Sequence, residues 1–162
     1  MWMDTPLRRA DRALAPEAAE ALLQTGSYGV LATADAEGLP LATPLNYVLL
    51  DGALYFHCAA AGHKMQNLAA RPQVCFCVVG EAQPVFHHDF TTRYESVLAF
   101  GNASLVEDDG EKTRVLAALC EKYLPTHMAQ APAAIAQSLA RTAIVRIEIS
   151  RVSGKANRAG GT

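Results

Sequence analysis

The segment from Leu45 to Phe76 constrains the fold of this chain more than any other part of its sequence. Asp51-Gly52 stands between two apolar runs, and this dipeptide favours a type I′ turn, in which both central residues have positive φ. We therefore predict a β-hairpin whose second strand runs from Ala53 to His57. A helix from His63 to Ala70 follows it, and this helix ends there because Arg71 precedes a proline and so disfavours α-helical backbone.

Small residues from Ala59 to Gly62 stand directly before this helix. They allow a ligand to approach the backbone closely, and the first N–H groups of a helix have no intrahelical partner and attract anions. His63 and Lys64 add two side chains that can donate hydrogen bonds. Together with Asn67, one turn further along, they could bind a phosphate. An ordinary surface helix start is the other interpretation, and the residues alone favour it.

Six or seven short strands with helices at their ends predict a small closed or partly closed β-barrel. Pro44 lies inside the strand predicted from Leu39 to Leu50, which makes that strand an edge strand or a bulged one. The strand Val74 to Val79 is apolar on both faces, so we expect both faces to be covered. Gly80 to Phe90 shows neither a strand nor a helix pattern.

The other predicted elements have ordinary start and stop signals. Gly101 predicts a bulge between two strands, and Asp108 or Asp109 predicts the N-cap of a helix. The chain is expected to form one domain, residues 1–162, with a core from about residue 8 to 155 and a mobile tail over 156–162. Besides the strands and the helix already named, the predicted elements are helices Ala15–Thr25, Asp109–Tyr123 and Pro132–Leu139, and strands Tyr28–Thr33, Thr91–Phe100, Asn102–Glu107 and Thr142–Val152.

Composition excludes several classes of protein. With 51% apolar residues and a net charge of −2 over 162 residues, the chain has no electrostatic footprint for nucleic acid. Its apolar runs are about as long as strands, so no membrane span is expected, and the N-terminus lacks a signal-peptide pattern, so we expect a cytoplasmic protein. The cysteines lack zinc-site spacing and are predicted to be buried reduced thiols, with redox or soft-metal chemistry as the alternative. They are Cys58, Cys75, Cys77 and Cys120.

Several polar residues leave their roles open. His87 and His88 are adjacent, and adjacent side chains of an extended chain point apart, so a solvated loop is predicted there rather than a metal site. Tyr94 and Ser96 share one face of a strand, which could line a pocket or meet solvent. Ser96 lacks the nucleophile-elbow motif, and neither a Rossmann nor a Walker glycine motif occurs.

Taken in order, these segments resemble the flavin-binding split-barrel superfamily, and more closely the nitroimidazole-resistance branch of the pyridoxamine 5′-phosphate oxidase-related proteins. The resemblance covers about Arg8 to Lys155. It implies a mainly β, Greek-key split barrel with peripheral helices, and a homodimer that holds flavin mononucleotide (FMN) in two clefts between subunits. The matching segments are Gly29–Thr33, Pro44–Val48, Asp51–His57, Gly62–Asn67, Val74–Phe76, Tyr94–Val97 and Phe100-Gly101.

The resemblance also implies roles for individual residues. FMN would take electrons from a small-molecule donor and pass them to a small acceptor, such as a nitroaromatic compound. Apart from the resemblance, histidine chemistry points to His57 or His63 as the proton donor, and the helix start favours His63. The strand with Thr43, Pro44, Leu45 and Asn46 would lie along the isoalloxazine ring, and His63, Lys64 and Asn67 would hold the phosphate. Tyr94, Ser96 and Val97 would complete the pocket, and no metal is implied.

Alternatives to this function remain open. The chain could be a flavin carrier or sensor without turnover, or it could bind a deazaflavin. It could also bind haem through His57, His63, His87 or His88 as an axial ligand. Oxidation of a vitamin B6 phosphate is disfavoured, because the one tryptophan is Trp2 and no arginine-rich C-terminal substrate segment is present.

Overall fold

A seven-stranded antiparallel sheet forms the centre of the computed structural model, which describes residues 6–87 and 89–158. The strands are β1 Gly29–Ala34, β2 Pro40–Leu45, β3 Val48–Leu50, β4 Ala53–Ala59, β5 Gln73–His87, β6 Asp89–Leu105 and β7 Thr142–Asn157. Their order across the sheet is β2-β1-β5-β6-β7-β4-β3. Around the sheet lie the helices α1 Pro16–Thr25, α2 His63–Ala70, α3 Asp109–Tyr123 and α4 Ala131–Ser138.

The sheet curls into a half-barrel because β2 and β3 occupy its two opposite edges. Only Asn46 and Tyr47 separate these two strands. In a flat sheet of seven strands the edges would stand about 29 Å apart, whereas three Cα–Cα steps span at most about 11 Å. The predicted split barrel with peripheral helices is therefore confirmed. The single strand predicted from Leu39 to Leu50 is wrong, because the chain crosses from one edge of the sheet to the other within it.

Tyr47 fixes this crossing point and is fully buried. Its hydroxyl donates to the carbonyl of Leu23 at 2.6 Å. Its N–H donates to the hydroxyl oxygen of Tyr123 at 3.1 Å, and that hydroxyl donates back to the Tyr47 carbonyl at 2.9 Å. The Lys122 ammonium lies 4.0 Å from the centroid of the Tyr47 ring, and burial lowers the pKa of Lys122. These contacts tie the crossing point to α1 and α3.

Two hydrophobic clusters lie on the two faces of β4. Leu54 and Phe56 belong to the cluster inside the barrel, while Ala53 and Tyr55 belong to a cluster beneath α3 and α4. This alternation follows from the two-residue period of a strand. The inner cluster also contains Leu31, Phe76, Val78, Val97 and Ile147, and the outer one contains Val115, Leu119, Ile135 and Ile144.

Several local predictions are confirmed. Asp51 and Gly52 both have positive φ, at 50° and 77°. The helix α2 ends at Ala70, the sheet register shifts at Gly101, and the Asp108 side chain caps α3. The proline-containing strand β2 is an edge strand. No helix of the described residues is long and apolar enough to cross a membrane.

Two stretches differ from the prediction. No element was predicted over Gly80 to Phe90, but β5 continues to His87 and β6 begins at Asp89, and the two strands pair as far as His87 and Asp89. The tail was expected to be mobile, but β7 continues to Asn157, which is buried. Residues 1–5, residue 88 and residues 159–162 lie outside the described part, so the expectations for His88 and for the end of the tail remain predictions.

The strand Val74 to Val79 was expected to be covered on both faces, and this chain covers only one of them fully. Val74, Phe76 and Val78 are buried in the barrel. On the outer face Cys75 and Cys77 are half-buried, and Val79 is 50% exposed. The outer face of β5 therefore offers apolar surface to another molecule.

Candidate functional site

The start of α2 has a backbone conformation that requires glycine. Gly62 has φ 118° and ψ 172°, a region that side chains essentially exclude. A Cβ atom built on Gly62 would meet nothing within 4 Å, so the space beside it is open. No side chain caps the helix. No side chain accepts a hydrogen bond from the first N–H groups of α2, so these groups can donate to an anion.

Two side chains at this helix start are hydrogen-bond donors. His63 is exposed, and Lys64 is half-buried with its Nζ atom 5.3 Å from the centroid of the Phe56 ring. The ring belongs to β4, which leads into α2, so this cation–π contact holds the ammonium close to the helix start. Backbone N–H groups, an imidazole and an ammonium together form a set of donors fit for a phosphate.

Asn67 lies beneath this group rather than beside it. Its side chain is buried, and Nδ2 donates a hydrogen bond to Oγ1 of Thr33 at 3.0 Å. The bond links α2 to β1 and holds the helix in place. A direct contact between Asn67 and a ligand remains a prediction.

The predicted ring-binding segment lies on the edge strand β2. Thr43 and Leu45 are half-buried on the face they share with Leu31, while Pro44 is exposed opposite Val30. The free side of β2 is unpaired in the described chain, which leaves backbone groups for a ligand. Asn46, exposed at the end of β2, lines a cleft.

This cleft, which we call the α3–α4 cleft, has a volume of about 460 Å³. It lies between α3, α4 and the outer face of β4, where β4 approaches α2. Its walls are mainly apolar, formed by Leu116, Leu119, Leu124 and Ile135, and the polar side chains of Asn46, His57 and Arg141 also line it. An apolar cleft of this size with a few polar groups is typical of small-molecule sites.

The polar groups of the α3–α4 cleft divide into two sets. The hydroxyls of Tyr123, Ser138 and Thr142 donate to backbone carbonyls at 2.9 to 3.0 Å. The side chains of Asn46, His57 and Arg141 make no hydrogen bond within the described part of the chain. An amide, an imidazole and a guanidinium therefore remain available to a bound molecule.

The third predicted group lies on β6. Tyr94 and Ser96 are half-buried, whereas the Val97 side chain is fully buried in the barrel, so only its backbone could meet a ligand. Partial burial raises the pKa of Tyr94, but the nearby cations of Arg12 and Lys155 outweigh this effect, and the net pKa is lowered. The positive charges of Arg12 and Lys155 make this a cationic spot on the surface.

The structure brings the predicted residues together in two groups, not one. His57 on β4 lies opposite Ile144 of β7, close to the helix start, whereas Tyr94 lies opposite Asn157. These positions are thirteen residues apart along β7, a path of up to about 40 Å in an extended strand. Within one chain the Tyr94 group lies far from the α2 group.

The cysteines are half-buried. Burial raises the pKa of Cys58 and Cys77, and it raises that of Cys75 to about 11, which favours the protonated thiol at neutral pH. Within residues 6–87 and 89–158 no three histidine, cysteine or acidic residues are grouped so that they could hold a metal ion. The side chains of His87 and His88 lie outside the described part, so the predictions for them stand untested.

Of the residues that line the α3–α4 cleft, only Asn46 was among the predicted FMN-binding residues. His57 was predicted only as a possible haem ligand or proton donor, and Cys120 and Arg141 were not predicted to bind a cofactor. The sequence did indicate the position of His57, because residues 53, 55 and 57 share one face of β4 and the side chains of Ala53 and Tyr55 face the outer cluster. Cys120 and Arg141 carry no such signal. Cys120 reaches the cleft only when α3 packs against β4, and Arg141 only when β7 pairs with β4, which sets Thr142 opposite Ala59.

Comparison with known proteins shows the family. A family profile described as pyridoxamine 5′-phosphate oxidase matches residues 15–156. No curated protein matches. Among solved structures, a proposed 5-nitroimidazole antibiotic resistance protein from Bacteroides thetaiotaomicron superposes with a TM-score of 0.76 at 21% identity, covering 88% of this chain and 85% of that one.

Two further structures share the fold. The flavocytochrome Anf3 from Azotobacter vinelandii has a TM-score of 0.84 at 20% identity, covering 97% of this chain and 74% of that one. An FAD- and haem-binding protein from Mycobacterium smegmatis has a TM-score of 0.77 at 23% identity, covering 90% and 72%. The likeness to these structures shows the fold, and the profile match shows the family. This split-barrel chain belongs to the pyridoxamine 5′-phosphate oxidase family.

Proposed function

We propose that this chain is an FMN-binding oxidoreductase that passes electrons to a small oxidised acceptor, such as a nitroaromatic compound, from clefts shared by two subunits. The observation that carries the proposal is the uncapped start of α2 at Gly62, with His63 and Lys64 beside it. Family membership supports it, as do structural relatives that are named for flavin binding or for nitroimidazole resistance.

The residues present fit FMN at both of its ends. The phosphate needs donors, and the start of α2 offers backbone N–H groups with the side chains of His63 and Lys64. The isoalloxazine ring is flat, with apolar faces and a polar edge. The unpaired edge of β2 and the adjoining Asn46 offer hydrogen-bonding groups to that edge, and apolar walls lie close by in the α3–α4 cleft.

Bound flavin would supply the electron transfer chemistry, which belongs to the cofactor. The chain's own residues would bind and orient it, exclude water and hold a proton. His63 is our candidate for the proton donor, because histidine is the side chain that ordinarily titrates near neutral pH and this one is exposed at the helix start. His57 in the α3–α4 cleft is the second candidate.

The separation of the two predicted groups supports a cleft that is shared by two subunits. Tyr94 and Ser96 lie near one end of β7, and the α2 start lies near the other. A second copy of the chain can bring its Tyr94 group to the α2 start of the first. The exposed apolar outer face of β5 at Val79 also favours an interface.

A haem-binding protein is the second candidate function, favoured by one observation. His57 lies on an apolar cleft and has no hydrogen-bond partner in the described part of the chain. A neutral imidazole in such a place could serve as an axial ligand. The absorption spectrum of the purified protein separates the two, since haem shows a Soret band and flavin does not.

The phosphate site is tested by titrating wild type and Lys64→Ala with FMN and with riboflavin, which lacks the phosphate. A charge-assisted hydrogen bond contributes about 1.5–3 kcal/mol, so we expect Lys64→Ala to weaken FMN binding roughly ten- to a hundredfold and to leave riboflavin unchanged. Arg71→Ala, which removes a cation from the other end of α2, is the control. Equal losses for both ligands would mean that the α2 start is only structural.

Turnover is tested by reoxidising the reduced holoprotein with a nitroimidazole in a stopped-flow instrument. We expect faster reoxidation than for free FMN, and a slower rate in His63→Gln. If the protein gives no acceleration over free FMN, it is a flavin carrier or sensor instead.

A further inference from the structure

The strands β5 and β6 continue beyond the barrel as a two-stranded ribbon, which we call the arm (residues 80–87 and 89–93). In the described chain, β1 pairs with β5 only from Cys75 to Cys77, and β7 pairs with β6 only from Tyr94 onward. From Ala82 the arm strands pair only with each other. Asn157 of β7 anchors the arm as far as Thr91, because its Nδ2 donates to Oγ1 of Thr91 at 3.2 Å and to the carbonyl of Thr92 at 2.7 Å. Beyond this anchor the tip of the arm projects about 7 Å, at about 3.3 Å per residue.

Two aromatic rings stand uncovered near the tip of the arm. Phe86 is 71% exposed and Phe90 is 92% exposed. They are cross-strand neighbours and pack edge to face, with their centroids 5.3 Å apart. A lone two-stranded ribbon is at best marginally stable in water, and clustered exposed aromatic residues usually mark an interaction site. The arm thus lacks the packing partner that its composition requires.

The α3–α4 cleft has the complementary shape and chemistry. It is concave and mainly apolar, and one of its wall residues, Leu124, is 55% exposed. We propose that the arm docks on a second copy of this chain, with Phe86 and Phe90 covering the α3–α4 cleft of that copy. The aromatic tip would then form the outer wall of the partner's binding site.

Two-fold symmetry and buried area both favour a second copy as the occupant. Around a two-fold axis each arm meets the other chain's cleft, so the contact is made twice and the assembly closes. Four phenylalanine rings that each bury roughly 150 Å², with a matching area on the clefts, give about 1,200 Å² in total. This reaches the lower limit of stable specific interfaces.

The inference extends the dimer of the proposed function, since Tyr94 lies at the base of the arm. The paired strands β5 and β6 carry all three side chains. One strand pair of the partner could therefore place Tyr94 at the α2 start and Phe86 and Phe90 over the cleft. The arm contact itself needs no flavin, so it can hold even if FMN does not bind. Oligomeric state and FMN affinity are therefore measured separately on every variant.

Sedimentation velocity of the full chain tests the contact. We expect wild type to be a dimer, and the double variant Phe86→Ser/Phe90→Ser to raise the dimer dissociation constant at least roughly a hundredfold, as the loss of two buried aromatic anchors does. Leu39→Ser is the matched control, because Leu39 is 69% exposed on the β1–β2 turn and lies outside the arm. A dimeric double variant, or a monomeric wild type, would overturn the proposal.

The receiving surface is tested from the other side. Leu124→Glu puts a charge on the cleft wall and should also dissociate the dimer. A Trp2→Phe/Phe90→Trp chain reports the tip alone: its emission should be blue-shifted in the dimer and should shift to the red when Leu124→Glu is added. Unchanged emission would rule out the cleft as the receiver. Tip-dependent binding of a monomeric wild type to phosphatidylcholine vesicles would assign the arm to a membrane surface instead.

Discussion

The two ends of β7 differ in what they offer to another molecule. Near Thr142 the helices α2, α3 and α4 surround β4 and leave a concave, mainly apolar cleft beside an uncapped helix start. Near Asn157 the arm projects with two uncovered aromatic rings and a cationic spot around Tyr94. One end is concave and the other convex.

We propose from this difference that a single chain holds two incomplete halves of one site. The residues that the family resemblance assigns to FMN are divided between the two ends, and β7 holds them apart. Two copies related by a two-fold axis would join the concave end of one chain to the convex end of the other. The substitutions that follow change one of these two ends, or the barrel that lies between them.

The largest effect is expected for Tyr47→Ala, which disturbs the framework. Tyr47 is fully buried and joins the crossing point of the barrel to Leu23 and Tyr123. Truncating a buried aromatic residue costs about 3–5 kcal/mol in the free energy of unfolding, measured by urea denaturation. Tyr28→Ala, at a tyrosine that is 55% exposed, should change it by about 0.5 kcal/mol or less. Similar losses for both would refute the role of the crossing point.

A smaller effect is expected at the concave end, for Gly62→Ala. Forcing alanine into positive φ costs about 1–3 kcal/mol of folding stability, and a shifted helix start should also weaken FMN binding. Gly38→Ala is matched to it, because Gly38 has φ 92° and its Cβ position is equally open. We expect both variants to lose similar stability and only Gly62→Ala to lose FMN affinity, measured by fluorescence titration. If Gly38→Ala lost as much FMN affinity as Gly62→Ala, the loss would come from backbone strain in general and not from the α2 start.

The smallest effect is expected at the convex end, for Lys155→Gln. Partial burial opposes ionisation of Tyr94, but the nearby cations of Arg12 and Lys155 outweigh it and lower its pKa below 10.0, so the folded state favours the phenolate. At pH values between the pKa of Tyr94 in the folded state and 10.0, the unfolded state therefore binds more protons than the folded state. The free energy of unfolding rises with pH over that interval.

Ultraviolet titration checks this, with Tyr94→Phe used to identify the signal. Lys155→Gln should raise the pKa of Tyr94 and flatten the rise in stability, whereas Arg8→Gln, which removes a cation elsewhere, should do neither. A Tyr94 pKa unchanged in Lys155→Gln would remove Lys155 from this group.

Local rules predicted most of the barrel. The Asp51-Gly52 turn, the end of α2 before Pro72, the bulge at Gly101 and the Asp108 cap each depend on one or two residues whose conformational preferences are strong. The number of short strands predicted a closed or partly closed barrel, and the family resemblance added its split-barrel topology.

The arm and the cleft could not be predicted in this way. The arm covers no core of its own chain, so it carries no buried alternation, and Gly80 to Phe90 showed no pattern. The crossing at Asn46-Tyr47 stands inside a continuous run of strand-forming residues. His57 and Arg141 line one cleft because β4 pairs with β7, a long-range pairing that a one-dimensional pattern does not contain.

The central claim is that one FMN site takes its residues from two chains, and mixed dimers test it most directly. Lys64→Ala damages the concave end of a chain, and Tyr94→Ala damages the convex end. Differently tagged copies of the two variants are co-expressed, the mixed dimer is purified, and FMN binding is measured by fluorescence titration. The account predicts one site per dimer with wild-type affinity, because one cleft receives both intact halves and the other receives neither. Two equal, weakened sites per dimer would contradict it and place each FMN site within a single chain.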